Sequence, residues 1–464
     1  MISKFVLEER VREWGLREDV VEKDYVLGWV LWGIGVHPKL SVSWAFKGGT
    51  CLKKCYIETY RFSEDLDFTV LPDGPVRQGE LEPIIREVLA KVAEESGVNF
   101  SGRPFVLKTH PSGLYTEGRI YYQGPRNAPQ VASIRLDLSA SEKVVRPTVR
   151  RPIAHAYPDD LPAPATVRCY SFDELFAEKI RAMGERSRPR DLYDIINLFR
   201  RADLQAEPRL IRAILVEKCQ AKGIPVPTFA VIEASPVRVE LESEWANMLV
   251  HQLPVLPPFD SFWAELPALF NWLESTGAAP QLQTVPAGAG EEPAGVWSPP
   301  PTIYAWGKGI PLETMRFAAA NHLCINLGYG GSKRLVEPYS LRRTQDGNLI
   351  LHAIKVVTRE PRAYRIDRVQ SIEVTTRPFA PAYKIEFSSS GPIHAAPTTT
   401  NPRSAPRRHA GRPARTGIIY VIQCSWCQKT FRRTKMSMVL KPHKDKNGYP
   451  CHGRAGFLVG THYG

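Results

Sequence analysis

The chain has 464 residues, 43% of them hydrophobic, which is enough for two or three domains with cores of their own. No apolar run approaches the roughly 18 residues of a membrane span, and the first ten residues, MISKFVLEER, are charged throughout, which argues against a membrane partner or a signal peptide and predicts a cytoplasmic protein. Of the net charge of +13, nearly all lies in residues 401–464, where 13 Lys and Arg face one acid, Asp445, so the first 400 residues are close to neutral.

Residues 3–35 carry helical spacing, with Phe5, Val6, Val11 and Trp14 and then Val20, Val21, Tyr25, Leu27, Val30 and Leu31. They include the segment EKDYVL at 22–27. Residues 42–70 follow, VSWAFKGGTCLKKCYIETYRFSEDLDFTV. An apolar strand over 42–46 leads into Gly48-Gly49-Thr50, a helical pattern covers 51–60, and a second strand carries Asp65 and Asp67. Residues i and i+2 of a strand share a face, so the two carboxylates stand side by side while Leu66 and Phe68 point to the core. Such a pair suits a Mg²⁺ held together with substrate phosphates. The Gly-Gly-Thr presents bare backbone N–H groups at a helix start, where phosphate binds well.

A helix is expected over 79–96 and strands over 105–110, 115–124 and 131–139. The last alternates around Asp137, which either completes the acidic site or is a surface carboxylate on an edge strand. In 171–201, Ser171 and Glu174 form a capping box. Lys179 shares the apolar face of the following helix with Leu175 and Met183, a costly place for a charge unless it is used. That favours a lysine meeting a triphosphate over one that snorkels to solvent. Ser187 and Pro189 open another helix, with Asp191 and Asp194 in its first turn. Residues 205–274 read as further helices. Residues 275–301, rich in Pro, Gly and Ala, are a linker. A small β-rich domain spans 302–387, and a second, basic linker spans 388–416.

In the last segment, 417–464, Cys424 and Cys427 form a C-x-x-C, 15 residues separate Cys427 from His443, and seven separate His443 from Cys451. Four such ligands fit a structural Zn²⁺, with His452 competing for the fourth place. Metal would supply much of the folding energy of so small a segment. Arg432 and Arg433 and several lysines interleave with the ligands, which favours nucleic-acid contact.

The order strand, Gly-Gly-Thr, helix, Asp-x-Asp strand resembles the α+β nucleotidyltransferase fold of the polymerase-beta type, with a helical C-terminal lobe. FKGGTxLxK, RFSEDLDF, ELFAEK and RDLYDI, with EKDYVL ahead of them, are similar to the AbiEii/AbiGii toxin family of nucleotidyltransferases over 1–274. The resemblance implies Mg-dependent transfer of a nucleoside monophosphate from an NTP to an acceptor hydroxyl. In characterised members the acceptor is the 3′ end of tRNA, and its blockage stops translation. A cognate antitoxin of the AbiEi kind is implied, in a toxin–antitoxin or abortive-infection system. Asp65 and Asp67 would hold Mg²⁺, and Asp137 would complete the site or take the hydroxyl proton. Lys47, Gly48, Gly49, Thr50 and Ser63 would contact the nucleotide, and Arg61 phosphate or RNA. The family's required lysine and the first aspartate of its last motif fall on Lys179 and Asp191, the latter to orient Lys179 or the acceptor. Glu174 also matches, but capping accounts for it.

Residues 302–387 resemble a WYL domain, an SH3-like barrel that senses ligands, although Leu349-Ile350-Leu351 stands where the naming Trp-Tyr-Leu would be. Arg334, Arg365 and Arg368 either hold an anionic ligand or pair with Glu337 and Asp367. Three other readings follow: a protein or small-molecule acceptor, a defence regulator that senses a nucleotide through the WYL-like domain, and a binder of nucleic acid without catalysis.

Overall fold

The computed structural model describes residues 1–463 apart from 58–60, 202–203, 205, 276–311, 344–348, 388–392, 395–417, 434–436 and 446–448. Nearly all of the two linkers therefore lies outside the described residues. The chain divides into two compact units, residues 1–396 and 397–464.

The first unit begins with two helices where one was expected. α1 (Lys4–Trp14) ends at Gly15, whose φ of 63° is the left-handed conformation that closes a helix, and α2 (Glu18–Val36) restarts after Leu16-Arg17. α2 is apolar nearly all round, so it is buried on most of its surface; Val21, Tyr25, Val26, Leu27, Val30 and Leu31 are fully enclosed. Each such side chain contributes about 1.5–3 kcal/mol over an exposed one. After α3 (Leu40–Ser43) come β1 (Trp44–Lys47), α4 (Gly48–Cys51) and a π-helical turn (Leu52–Tyr56). Then follow β2 (Asp65–Val70), α5 (Gln78–Ser96), β3 (Val106–Thr109), β4 (Tyr115–Tyr122) and β5 (Ala132–Ser139). The strands β6 (Val149–Pro152) and β7 (Thr166–Cys169) are only four residues each and lie outside the segments expected from sequence.

These strands make one sheet in the order β3-β4-β5-β2-β1-β7-β6. β2 runs parallel to β5 and antiparallel to β1, and β1 runs parallel to β7. Leu66, Phe68, Leu136 and Leu138 are buried on one face, and α2 packs across β5 and β7 with α5 beside it. The other face carries the charged residues described below.

α6 (Phe172–Arg186) and α7 (Pro189–Arg200) follow, then the lobe of α8 (Pro208–Lys222), α9 (Phe229–Ala234), α10 (Val237–Leu249), α11 (Phe259–Trp263) and α12 (Leu266–Glu274). Ser171 does cap α6 by accepting from Glu174 N, but the reciprocal half of the expected box is absent. The Glu174 carboxylate instead accepts from Val145 N and Arg146 N, both at 2.8 Å, and meets Lys218 at 2.9 Å. Ser187 ends α6 in the left-handed region at φ 45° rather than opening α7, which starts at Pro189 with Arg188 as its N-cap.

The β-rich region has α13 (Leu312–Ala320), β8 (Leu323–Tyr329), β9 (Ser332–Arg343), β10 (Leu349–Lys355), β11 (Pro361–Arg365) and β12 (Val369–Pro378), with β13 (Ile393–His394) beside β9. Its order is β11-β10-β9-β8-β12, and no pairing between β11 and β12 closes a barrel among the described residues. Leu349, Ile350 and Leu351 are all buried. The region is fastened to the rest of the unit where Glu265 meets His322 at 3.6 Å and Arg200 at 2.6 Å, and where Thr314 Oγ1 donates to Glu13 O at 2.9 Å.

The second unit is a sheet of β14 (Ile418–Cys424), β15 (Thr430–Arg433) and β18 (Gly456–Tyr463), with β14 central, and a small ribbon of β16 (His443–Lys444) and β17 (Pro450–Cys451). Among the described residues no helix is long and apolar enough to cross a membrane.

Candidate active site

Cross-strand register sets the site. Lys47 pairs with Asp67, Asp67 with Asp137, Asp137 with Glu117, and Glu117 with Lys108, so one row of charged side chains crosses β1, β2, β5, β4 and β3. Directly paired residues share a face. Asp65 lies two residues along β2 from Asp67, on that same face. The row opens into a cavity of about 810 Å³ lined by Lys47, Gly48, Gly49, Asp67, Asp137 and Lys179 among others.

Gly48 has a φ of 80°, and a Cβ there would stand 2.2 Å from Asp67 Oδ2. A side chain at Gly49 would meet Arg61 Nη2 at 2.7 Å and Ser63 Oγ at 3.0 Å. The two glycines thus let the backbone come close to the acidic strand. Thr50 is buried, and its hydroxyl donates to Asp65 O at 2.5 Å, which fixes β2 against the helix start. Three buried cysteines, Cys51, Cys55 and Cys169, pack behind this turn.

Burial pushes the Asp67 carboxyl up to about 6; Lys47 opposes this, and the neighbouring Asp65 and Asp137 add to it. Burial also raises Asp137, against the pull of Arg135 at 3.0 Å and with the push of Asp65. Three crowded carboxylates on rigid strands need a cation, and an all-oxygen donor set suits Mg²⁺. Lys47 is nearly enclosed. Burial disfavours its charge, but Glu178 at 3.7 Å and Glu142 in direct contact hold it protonated.

Lys179 is buried and its Nζ lies 2.7 Å from Asp194 Oδ2. Arg61 grips the same carboxylate in bidentate fashion at 2.8 and 2.9 Å and also donates to Gln252 Oε1 at 2.9 Å. The carboxylate that orients Lys179 is therefore Asp194 rather than Asp191. Asp191 is fully enclosed, accepts from Arg186 Nε and Nη2 at 2.9 Å each, and receives Arg188 N at the start of α7. Arg61, expected at phosphate or RNA, is committed to Asp194 and Gln252. Sequence reasoning missed Asp194 as a functional group, and it missed Glu142 and Glu178. The signal for Asp194 was its place three residues after Asp191, on nearly the same helical face.

EKDYVL supports this site from behind. Lys23 pairs with Glu64 at 2.5 Å, Asp24 with Lys54 at 2.8 Å, and Tyr25 donates to Asp159 at 2.6 Å. The first two contacts tie α2 to the segments that follow β1 and precede β2, and the third ties it to the connection between β6 and β7.

The family model of the nucleotidyl transferase AbiEii toxin, of type IV toxin–antitoxin systems, matches residues 29–266. The chain belongs to this family. It is a nucleotidyltransferase of the toxin–antitoxin kind, and the matched span takes in the Gly-Gly-Thr, both β2 carboxylates, Asp137, Lys179 and Asp194. Among solved structures, the nucleotidyltransferase toxin MenT4 from Mycobacterium tuberculosis H37Rv is 23% identical over 60% of this chain and 91% of its own, with a TM-score of 0.38, too low a likeness to bear on the site. No curated protein sequence matches.

Outside the AbiEii region, the ligand atoms of Cys424, Cys427, His443 and Cys451 all lie within 4.8 Å of one another. β16 and β17 place His443 directly opposite Cys451, while the exposed His452 is not among the four. A Cys₃His set this tight fits Zn²⁺. Arg432 is exposed, and Arg433 donates to Val439 O at 2.6 Å. In the β-rich region Arg334 donates to Tyr329 O, Arg365 is bidentate with Asp367 at 3.0 and 2.7 Å, and Glu337 pairs with Arg359. Arg368 is exposed beside them.

Proposed function

We propose that this AbiEii-family toxin transfers a nucleoside monophosphate from an NTP to the 3′-hydroxyl of an RNA, tRNA by its family resemblance, and so blocks translation. A cognate antitoxin would restrain it. The observation that carries the reading is the single row of Lys47, Asp67 and Asp137, with Asp65 on the same face and Lys179 on the wall of the same cavity.

Asp65 and Asp67 would hold Mg²⁺, whose charge would neutralise the reacting phosphates. The N–H groups at Gly48 and Gly49 cradle the β and γ phosphates, while Lys47 stays with Glu142 and Glu178 beside Asp67. Lys179, aimed by Asp194, faces the charge that develops on the leaving pyrophosphate. The acceptor oxygen bonds to the α-phosphorus, the bridging bond to the β-phosphate breaks, and pyrophosphate leaves. The hydroxyl proton passes to Asp137, which stands directly across the strand pairing from Asp67. In the tail, Cys424, Cys427, His443 and Cys451 would hold Zn²⁺, which stabilises the fold there. The basic residues around it, Arg432 and Arg433 included, then capture RNA.

Incubation with each α-³²P-labelled NTP and total RNA, followed by sequencing of RNA 3′ ends, tests this. Labelled 3′ termini are expected with the wild type and none with Asp65→Ala. Label confined to protein or small molecules would overturn the RNA acceptor.

A further inference from the structure

The cavity is larger than the phosphate cradle alone requires, and its far wall is chemically different. On one side of Asp67 stand Gly48, Gly49, Lys47 and Lys179. On the other, beyond Asp137, the wall is made by β4 and β3 and their connection, with Lys108, His110, Tyr115 and Arg135. The His110 and Tyr115 rings meet edge to face, with centroids 6.2 Å apart and planes at 89°. Tyr115 is 39% exposed, and Lys108 and His110 are exposed. The pair closes the β3–β4 hairpin, with Ser112 N donating to His110 Nδ1 at 3.2 Å and the Tyr115 hydroxyl against Ser141, yet both residues remain exposed at the cavity wall. Glu117, the other acid of the row, is matched by Arg135 at 3.4 Å and faced in register by Lys108.

In-line displacement assigns the two sides. The leaving pyrophosphate departs toward the Gly48–Gly49 cradle and Lys179, on the β1 and α6 side. The attacking oxygen must approach the α-phosphorus from the opposite side, that of β5. The acceptor therefore lies over β5, β4 and β3. We propose that Tyr115, His110 and Lys108 form the acceptor subsite and bind the unpaired terminal nucleotides of a single-stranded RNA end, a base stacking on the Tyr115–His110 pair and a backbone phosphate meeting Lys108. Stacking on exposed rings is tolerant of base identity and needs an end free of pairing. This rests on the RNA-acceptor reading above and adds to it where, and in what form, the RNA sits.

The experiment is steady-state transfer by the full-length protein, with an RNA oligonucleotide ending in unpaired nucleotides and a labelled NTP, each varied at saturation of the other. Tyr115→Ala and His110→Ala are each expected to raise KM for RNA by roughly 5- to 100-fold, the scale of one lost base stack, with KM for NTP within about twofold of wild type. Tyr115→Phe should recover most of the loss, since a ring without the hydroxyl still stacks. A rise in KM for NTP with RNA unaffected would place the pair in the nucleotide subsite and overturn the proposal, as would no change in either. Absence of RNA labelling by the wild type itself would instead remove the RNA reading, and this subsite with it.

Discussion

Asp194 makes the sharpest test of how the site is held. It is fully buried, and its two oxygens neutralise two cations, Arg61 at 2.8 and 2.9 Å and Lys179 at 2.7 Å. Burial alone would push its carboxyl up, but Arg61 and then Lys179 outweigh this and hold it far below the usual range. Asp194→Ala removes the buried carboxylate that both cations share. Breaking a buried pair in this way costs about 3–5 kcal/mol, a large part of a domain's typical ~5–15 kcal/mol. Lys179→Met is a different perturbation. It removes one cation and leaves Asp194 its bidentate Arg61, so stability should fall by only about 1 kcal/mol. Transfer should nevertheless drop by about 10²–10³-fold, as when one preorganised charge is lost from a transition state. Urea unfolding followed by tryptophan fluorescence reads the first quantity, and label transfer the second. The reasoning is wrong if Asp194→Ala unfolds within about 0.5 kcal/mol of wild type, or if Lys179→Met destabilises as much as Asp194→Ala.

Gly48→Ala should lower stability by about 1–2 kcal/mol for the left-handed backbone alone. Because the new Cβ would overlap Asp67 Oδ2, it should also abolish most label transfer, and normal activity would show that the close approach is dispensable. Burial, with Arg200 second, pushes the His322 imidazole down to about 4, below its ordinary value near 6.5. A depressed value means stability that is full above about 6.5 and lost as pH falls toward about 4, roughly 3 kcal/mol in all. His322→Asn, which tolerates the local φ of 54°, should remove that step, so the pH 7 to pH 4 loss measured by urea titration should shrink by about that amount. Zinc chelation should unfold the sheet of β14, β15 and β18 while leaving the thermal transition of residues 1–396 in place; circular dichroism before and after chelator, with Cys427→Ser alongside, checks this.

The parts of the site legible in sequence were those with a local signature. Asp65 and Asp67 follow from the period of a strand, and the Gly-Gly-Thr from its place between strand and helix. Lys179 was conspicuous because a charge on an apolar helical face needs a reason. Asp137 could be nominated, but its pairing with Asp67, seventy residues earlier, is a matter of strand register that no local pattern encodes. That Lys179 meets Asp194 was hidden for a related reason. Asp191 and Asp194 are three residues apart on one helix, so both face the same way, and what separates them is Arg61, brought in from the loop before β2. β6 and β7 escaped notice because four residues are too few for a period to stand out, and long-range pairing stabilises them. Glu174 looked explained as a cap, whereas burial turned its carboxylate toward Lys218 and two backbone N–H groups.

The near neutrality of the first 400 residues acquires a physical meaning from these pairings. The loop that delivers Asp65 is held from three directions by charge: Lys23 of α2 takes Glu64, Asp194 of α7 takes Arg61, and Gln252 takes both Arg61 and, through its carbonyl, Phe62 N at 3.1 Å. Lys47 and Lys218 are likewise spent on Glu178, Glu142 and Glu174. Charges enclosed in such pairs are poorly screened by salt and project little field into solvent. The catalytic unit therefore offers RNA a small number of local contacts rather than a broad attractive surface. Counterion release, which dominates the salt dependence of nucleic-acid binding, must come from cations that are not already neutralised. Residues 401–464, with 13 Lys and Arg against one acid, carry the largest net excess of them, +12. On the RNA-acceptor reading proposed above, capture and chemistry fall to different parts of the chain: the tail would set how tightly and how salt-sensitively RNA is gathered, and the paired framework how precisely its end meets the row of Asp67 and Asp137.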